Sequence, residues 1–164
     1  MEEVLARIPR EEVFEETGIQ FLKLNTLFQL HAERRADPER LSRARCFLLI
    51  ADLVNHFLTG RTASERTLAT TTQLYNVRRG AWSERIADAL DFPRSIFPEV
   101  VPPGTVMGPL RAEIASECGL LEPPPLLGVH PPPNRPLQLL GLGVKLSIVL
   151  GPCLTEALDQ GGVA

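Results

Sequence analysis

Apolar residues recur three and four positions apart through most of the first 120 residues, and turn formers punctuate them at short intervals, which predicts a chain of amphipathic helices. Pro9 followed by Arg10-Glu11-Glu12 opens the first, with acidic side chains near the positive end of the helix dipole. Thr17-Gly18 closes it, at the usual place for a C-terminal glycine. A second helix is expected from about Asn25 to Arg34, with Leu24, Leu27, Phe28 and His31 on one stripe. Asp37-Pro38 starts a third: an N-cap followed by proline at the first helical position, where the missing N–H is not needed. Cys46, Leu49, Ile50, Leu53 and Phe57 trace the sharpest helical stripe of the chain, with Asp52 and Asn55 on its other side and Gly60 as its stop.

Beyond Gly60 the pattern shortens. Thr67 to Leu74 is rich in β-branched threonine and is open between helix and strand, whereas Asn76 to Gly80 is a turn. Ser83 caps a short helix through Ile86, Ala87 and Leu90 that Pro93 ends. Val100 to Val106 is extended chain and turn, and Leu110 to Cys118, stopped by Gly119, is a last helix. No alternation strong enough to build a central sheet runs through these residues, so the sheet lies elsewhere or is absent and the chain itself is expected to be mainly α.

After residue 120 the pattern changes character. Of the 37 charged residues 32 precede this point, and all nine aromatics lie at or before Phe97. Pro123 to Pro136 holds seven prolines, including two runs of three that favour extended polyproline conformation and cannot continue a helix. Leu137 to Leu150 is a Leu/Gly run with Lys145 as its only charge. It has no clean period, and low order with room for one apolar strand is expected there. Residues 1–120 are therefore read as one helical unit and 121–164 as an irregular Pro/Gly/Leu-rich tail.

Composition narrows the classes. With 164 residues the chain can bury one real core but cannot form two lobes closing over a nucleotide. A net charge of −3 offers no basic field for a phosphate backbone, which argues against nucleic acid as a partner. Cys46, Cys118 and Cys153 are odd in number and far apart, which fits neither a disulfide framework nor a zinc knuckle, and a reducing cytoplasm is the natural compartment. The apolar run Cys46 to Ala51 is cut at Asp52, short of the roughly 20 residues that span a bilayer. Met1-Glu2-Glu3 lacks the basic flank of a secretory signal. No membrane association is expected.

Five short segments carry more specific information: Thr17-Gly18-Ile19-Gln20-Phe21, Asn25-Thr26-Leu27-Phe28-Gln29-Leu30, Asp52-Leu53-Val54-Asn55 through Leu58-Thr59-Gly60, Ala69-Thr70-Thr71-Thr72-Gln73-Leu74, and Pro102-Pro103-Gly104-Thr105-Val106-Met107-Gly108-Pro109-Leu110. In this order and spacing, with Trp82 and Phe97-Pro98 in register, residues 1–120 resemble an internal stretch of the FGGY carbohydrate kinases, nearest to the branch that acts on L-rhamnulose. The resemblance implies an α/β parent fold of the actin-like and ribonuclease H-like ATPases, of which this chain would be the helical part of the N-terminal lobe. It also implies phosphorylation of L-rhamnulose at its 1-hydroxyl with ATP and Mg2+, a carboxylate base deprotonating the sugar while metal and backbone amides neutralise the moving phosphoryl group.

Two parts of that machinery have no counterpart in the sequence. The Asp-x-Gly-x-x-Ser phosphate loop of the family precedes the stretch that Met1 matches. Where the family places a Gly/Ser-His-Asp-Thr strand with the aspartate base, Gly128-Val129-His130-Pro131-Pro132 stands instead. The resemblance therefore leaves this chain without catalytic, nucleotide-binding or metal-binding residues, with neither ATP nor Mg2+ expected to bind tightly, and inactive by itself. The shift after Glu122 suggests a tail from a changed reading frame or a mis-joined gene piece, with Met1 an internal start.

Gln20, Asn25 and Gln73 stand at matched positions, and their amides have the donors and acceptors that sugar hydroxyls require. The alternative is that they cap helices and satisfy buried backbone groups. Arg66 and Leu68 depart from the aromatic and asparagine expected of the rhamnulose branch. His31 and His56 read as packing or surface residues, and His130, among prolines, has no assigned role. Asp52 and Glu65 could pair only through tertiary contact. Arg34, Arg35, Arg40, Arg43 and Arg45 form a strip interrupted by Glu33, Asp37 and Glu39, a solvated face by default.

Alternative readings are a non-catalytic helical binding protein derived from a sugar kinase, a kinase for another ketose, and a polyproline-bearing interaction module. Apolar faces left unmatched without a sheet also predict self-association.

Overall fold

In the computed structural model, residues 1–120, 125–127 and 147–150 are described. The chain opens with α1 (Glu2–Arg7), α2 (Arg10–Thr17), α3 (Thr26–Ala36) and α4 (Pro38–Arg43), then passes through β1 (Cys46–Leu49) straight into α5 (Ile50–Thr59). β2 (Ser64–Glu65) leads directly into α6 (Arg66–Thr70), and β3 (Tyr75–Asn76) and β4 (Ala81–Trp82) flank the expected turn. α7 (Glu84–Ala89), a 3-10 turn at Arg94–Ile96, β5 (Val100–Val101), β6 (Val106–Pro109), α8 (Ala112–Glu117), β7 (Pro125–Leu127) and β8 (Ser147–Leu150) complete the order. The described part is mainly helical, with strands only in four two-stranded pairs: β1 with β8, β3 with β4 and β6 with β7 antiparallel, and β2 with β5 parallel.

The caps form as their chemistry dictates. Gly18 ends α2 in the left-handed conformation at φ +64, its N–H on the Phe14 carbonyl. The Asp37 side chain accepts from the Arg40 N–H at the start of α4, and Ser83 accepts from the Ile86 N–H at the start of α7. Gly60 ends α5 at φ +79, and a Cβ there would lie 3.2 Å from Nη2 of Arg111, so conformation and close approach both favour glycine.

The sharpest helical stripe of the sequence is in part a strand. Cys46-Phe47-Leu48-Leu49 pairs with Ser147–Leu150, Cys46 opposite Leu150 and Leu49 opposite Ser147, and the helix begins only at Ile50. A short unbroken apolar run satisfies either period, and here it is buried on both faces. Phe47 and Leu49 enter the main core, whereas Leu48 between them turns the other way to pack with Leu53. Two further expectations change with it. Asp52 and Asn55, placed on an outer side of the stripe, are buried, and Leu24, placed on the α3 stripe, is exposed because it precedes the helix. Pro125, expected in a polyproline run, opens β7. Apart from β7 and β8, the tail from residue 121 onward lies outside the described residues, His130 with it.

The main core joins Val4, Val13, Leu27, Leu30 and Leu41 of the first four helices, and Ile8 just after α1, to Phe47, Leu74, Ile86, Leu90 and Ile96. Trp82 and Phe97 border it, with ring centroids 5.2 Å apart and Phe47 edge-on to both at 6.1 and 5.8 Å. The Trp82 indole N–H donates to the Pro98 carbonyl at 2.7 Å. The residues that stood in register in the sequence thus meet in one aromatic cluster.

Candidate functional site

The segment Gly18–Leu24 crosses from α2 to α3 without regular structure, and two buried amides hold it in place. Asn25 occupies the N-cap position of α3 but makes no cap bond with its side chain. Its Nδ2 donates instead to the Gln20 carbonyl at 2.8 Å and to Oε1 of Gln73 at 3.1 Å. Gln73, fully buried, donates from Nε2 to the Ile19 carbonyl at 3.3 Å. Its backbone is left-handed at φ +63, a rare conformation for a side-chain-bearing residue. The neighbouring Thr72 carbonyl takes the N–H of Leu27 at 3.0 Å, one of the donors that the first turn of α3 cannot satisfy internally. Of the three amide residues singled out in the sequence, Asn25 and Gln73 touch each other, while Gln20 contributes its carbonyl and leaves its side chain exposed. Oδ1 of Asn25 is buried with no hydrogen-bond partner among the described residues.

A second polar knot lies where α5 meets the corner of β2 and α6. Asp52 and Glu65 are each about 1% exposed. Oδ1 of Asp52 accepts from the Glu65 N–H at 3.1 Å, and the Glu65 carboxylate caps α6, accepting from the Thr67 N–H at 2.9 Å, the Thr67 hydroxyl and the Leu68 N–H. Burial pushes the Asp52 carboxyl up to about 6. The Glu65 N–H and the Ser64 hydroxyl oppose that rise, and the Glu65 charge adds to it. The Cys46 thiol beside it is pushed up to about 11, first by burial and then by Asp52, so it is an inert thiol. The sequence marked Asp52 and Glu65 as a pair only if tertiary contact joined them, and the contact exists through a backbone N–H.

A third hub had no place in the sequence reading. Oε2 of Glu16 accepts from Nδ2 of Asn76 at 2.6 Å and from the Ser83 hydroxyl at 2.7 Å, tying α2 to the β3–β4 hairpin and to α7. One signal was available: an acid in the last turn of α2, where the helix dipole disfavours it, needs partners elsewhere. The remaining candidates are ordinary. His31 faces Glu3 at 3.6 Å with its pKa lowered chiefly by burial, and Nδ1 of His56 lies 3.1 Å from the Thr62 hydroxyl. Arg35 pairs with Glu3, Arg40 with Glu33 at 2.6 Å and Arg43 with Glu39 at 2.9 Å, so much of the cationic strip is neutralised.

Residues 1–130 match the N-terminal domain of the FGGY family of carbohydrate kinases. The chain belongs to this family. Its curated relatives include rhamnulokinases of Oceanobacillus iheyensis, 42% identical over 120 residues, and of Halalkalibacterium halodurans, 40% identical over 119, each match covering 73% of this chain. The chain spans about a quarter of their length, 26% of each. Among solved structures, a xylulose kinase from Rhodospirillum rubrum superposes with a TM-score of 0.69 at 23% identity, over 77% of this chain and 26% of that one. The fold of this FGGY chain is therefore that of a piece of the N-terminal lobe of sugar kinases, whose α/β parent architecture it represents by its helical part. Enzymes of this family use ATP and Mg2+. Among the described residues no three His, Cys, Asp or Glu side chains converge on a metal position. No described helix is long and apolar enough to cross a membrane.

Proposed function

We propose that this chain forms the sugar-side helical part of a kinase that phosphorylates L-rhamnulose at its 1-hydroxyl with ATP. The observation that carries the reading is 42% identity to a rhamnulokinase sustained over 120 residues. In this reading the buried Asn25–Gln73 pair holds the 18–24 segment, and the exposed amide of Gln20 meets the hydroxyls of the ketose. These 164 residues carry neither the phosphate loop nor the Gly/Ser-His-Asp-Thr aspartate in their sequence. By themselves they hold the sugar without transferring phosphate.

Titration calorimetry of the purified 164-residue chain tests this. Saturable binding of L-rhamnulose, weakened several-fold by Gln20→Ala and absent with D-xylulose, is the expected outcome. Equal binding of both sugars, or binding of neither, refutes the sugar assignment. Sugar-dependent ADP release by contaminant-free protein refutes the assignment of phosphoryl transfer to groups outside this chain.

A further inference from the structure

We propose that Glu16 is a positioning residue for sugar recognition: its carboxylate fixes the entry of the 18–24 segment and thereby the stance of Gln20. The sugar in this proposal rests on the sugar-kinase reading, whereas the hold on the segment rests on hydrogen bonds within this chain.

The segment contains neither helix nor strand, so its backbone groups find their partners outside it. The Glu16 carbonyl accepts from the Val77 N–H at 3.1 Å, the Ile19 carbonyl from Nε2 of Gln73 at 3.3 Å and the Gln20 carbonyl from Nδ2 of Asn25 at 2.8 Å. Asn25 is in turn held by Gln73. The stretch 73–83 is therefore a template for the segment, and the exposed amide of Gln20 stands between two points of attachment. The Asn25–Gln73 pair secures the exit, and Glu16 secures the entry.

Glu16 lies in the last turn of α2, where the negative end of the helix dipole opposes a carboxylate. Two buried donors offset this on its Oε2, Nδ2 of Asn76 at 2.6 Å and the Ser83 hydroxyl at 2.7 Å. Neither donor can turn elsewhere without loss. Oδ1 of Asn76 accepts from the N–H groups of Arg78 and Arg79, at 3.0 and 2.9 Å, which fixes the orientation of the amide. The Ser83 oxygen caps α7 through the Ile86 N–H, so its single proton is left for Glu16. Both donors are buried, so without the carboxylate they lose an acceptor that bulk water does not replace. Gly18 follows two residues later in the left-handed conformation, so a tilt at the end of α2 passes directly into residues 19 and 20. Glu16 acts through Gln20 and has no contact of its own with the sugar.

Lys23 gives a local readout. It is exposed within the segment, and Lys145 is the only other lysine of the sequence, so a lysine-specific protease has two sites in the chain. Wild type is compared with Glu16→Ala, which removes the acceptor, and with Glu16→Gln, which keeps an uncharged oxygen in its place. Under conditions where all three retain native circular dichroism, cleavage after Lys23 is expected to be about tenfold faster in Glu16→Ala and within about twofold of wild type in Glu16→Gln. The affinity for L-rhamnulose in titration calorimetry is expected to follow the same order, several-fold weaker in Glu16→Ala and restored in Glu16→Gln. Equal cleavage in the three proteins overturns the proposal. Faster cleavage with unchanged sugar affinity also overturns it, because Glu16 is then a structural residue only. If the wild type binds no L-rhamnulose, the sugar reading fails and the recognition half of the proposal with it, while the cleavage rates still decide whether Glu16 holds the segment. If Glu16→Ala does not fold, Glu16→Asp replaces it, since its carboxylate falls one methylene short of both donors and the same outcomes apply.

Discussion

Gln73 shows how one residue can combine a conformational penalty with a structural gain. A left-handed backbone disfavours any residue with a Cβ by about 1 kcal/mol, yet the side chain that creates the penalty also satisfies the Asn25 amide and the Ile19 carbonyl. Gln73→Ala keeps the strain and loses both bonds, and a destabilisation of about 2–3 kcal/mol is expected in urea unfolding. Gln73→Gly loses the same bonds but relieves the strain, so it should be the milder variant by about 1 kcal/mol. The reverse order would show that the two hydrogen bonds are not what holds this position. Asn25 and Gln73 were visible in the sequence as amides at matched positions, but their mutual contact spans 48 residues and no local pattern encodes it.

At the scale of elements, the junction of β1 and α5 separates what was legible from what was not. Caps depend on one side chain and its neighbours, so Asp37, Ser83 and Gly18 could be placed from the sequence, and they sit where expected. Cys46 to Leu49 could not, because four apolar residues satisfy both periods and the deciding partner lies a hundred residues downstream in a Leu/Gly run. The same ambiguity hid the second knot: with residues 46–49 read as helix, Asp52 and Asn55 fall on a face assumed to be wet, whereas packing makes it the face toward β2. Phe47 is the residue in which strand placement and core meet. Phe47→Ala should cost about 3–5 kcal/mol, since it empties a fully buried site between Trp82 and Phe97. Circular dichroism melts would measure this, and a loss under 1 kcal/mol would mean that β1 is not anchored by the main core.

On the scale of the whole molecule, the chain is a piece of sugar kinase fold whose exterior carries both ion pairs and apolar side chains. Arg7 and Arg34 converge on Asp91, and Arg94 joins Glu84 and Asp88. The arginines hold the Asp88 and Asp91 carboxyls below the usual range, so whatever these exposed pairs contribute is present above pH 4 and lost on further acidification. Apolar side chains also face solvent. Phe14, Leu22, Leu24, Val54, Phe57 and Val77 are all more than a third exposed. Concentration-dependent self-association of the 164-residue chain is expected in sedimentation velocity. A single monomeric boundary at all concentrations would contradict it.

The aromatic cluster also makes this chain its own optical probe. It contains one tryptophan and one tyrosine, and the Tyr75 and Trp82 rings lie 6.3 Å apart, close enough for excitation of the phenol to pass to the indole. Emission from the folded chain therefore comes from one fluorophore wedged beside Phe97, and tyrosine emission would emerge only once the hairpin opens. Each unfolding experiment described above thus acquires a local reading of that hairpin from light alone, with no label attached.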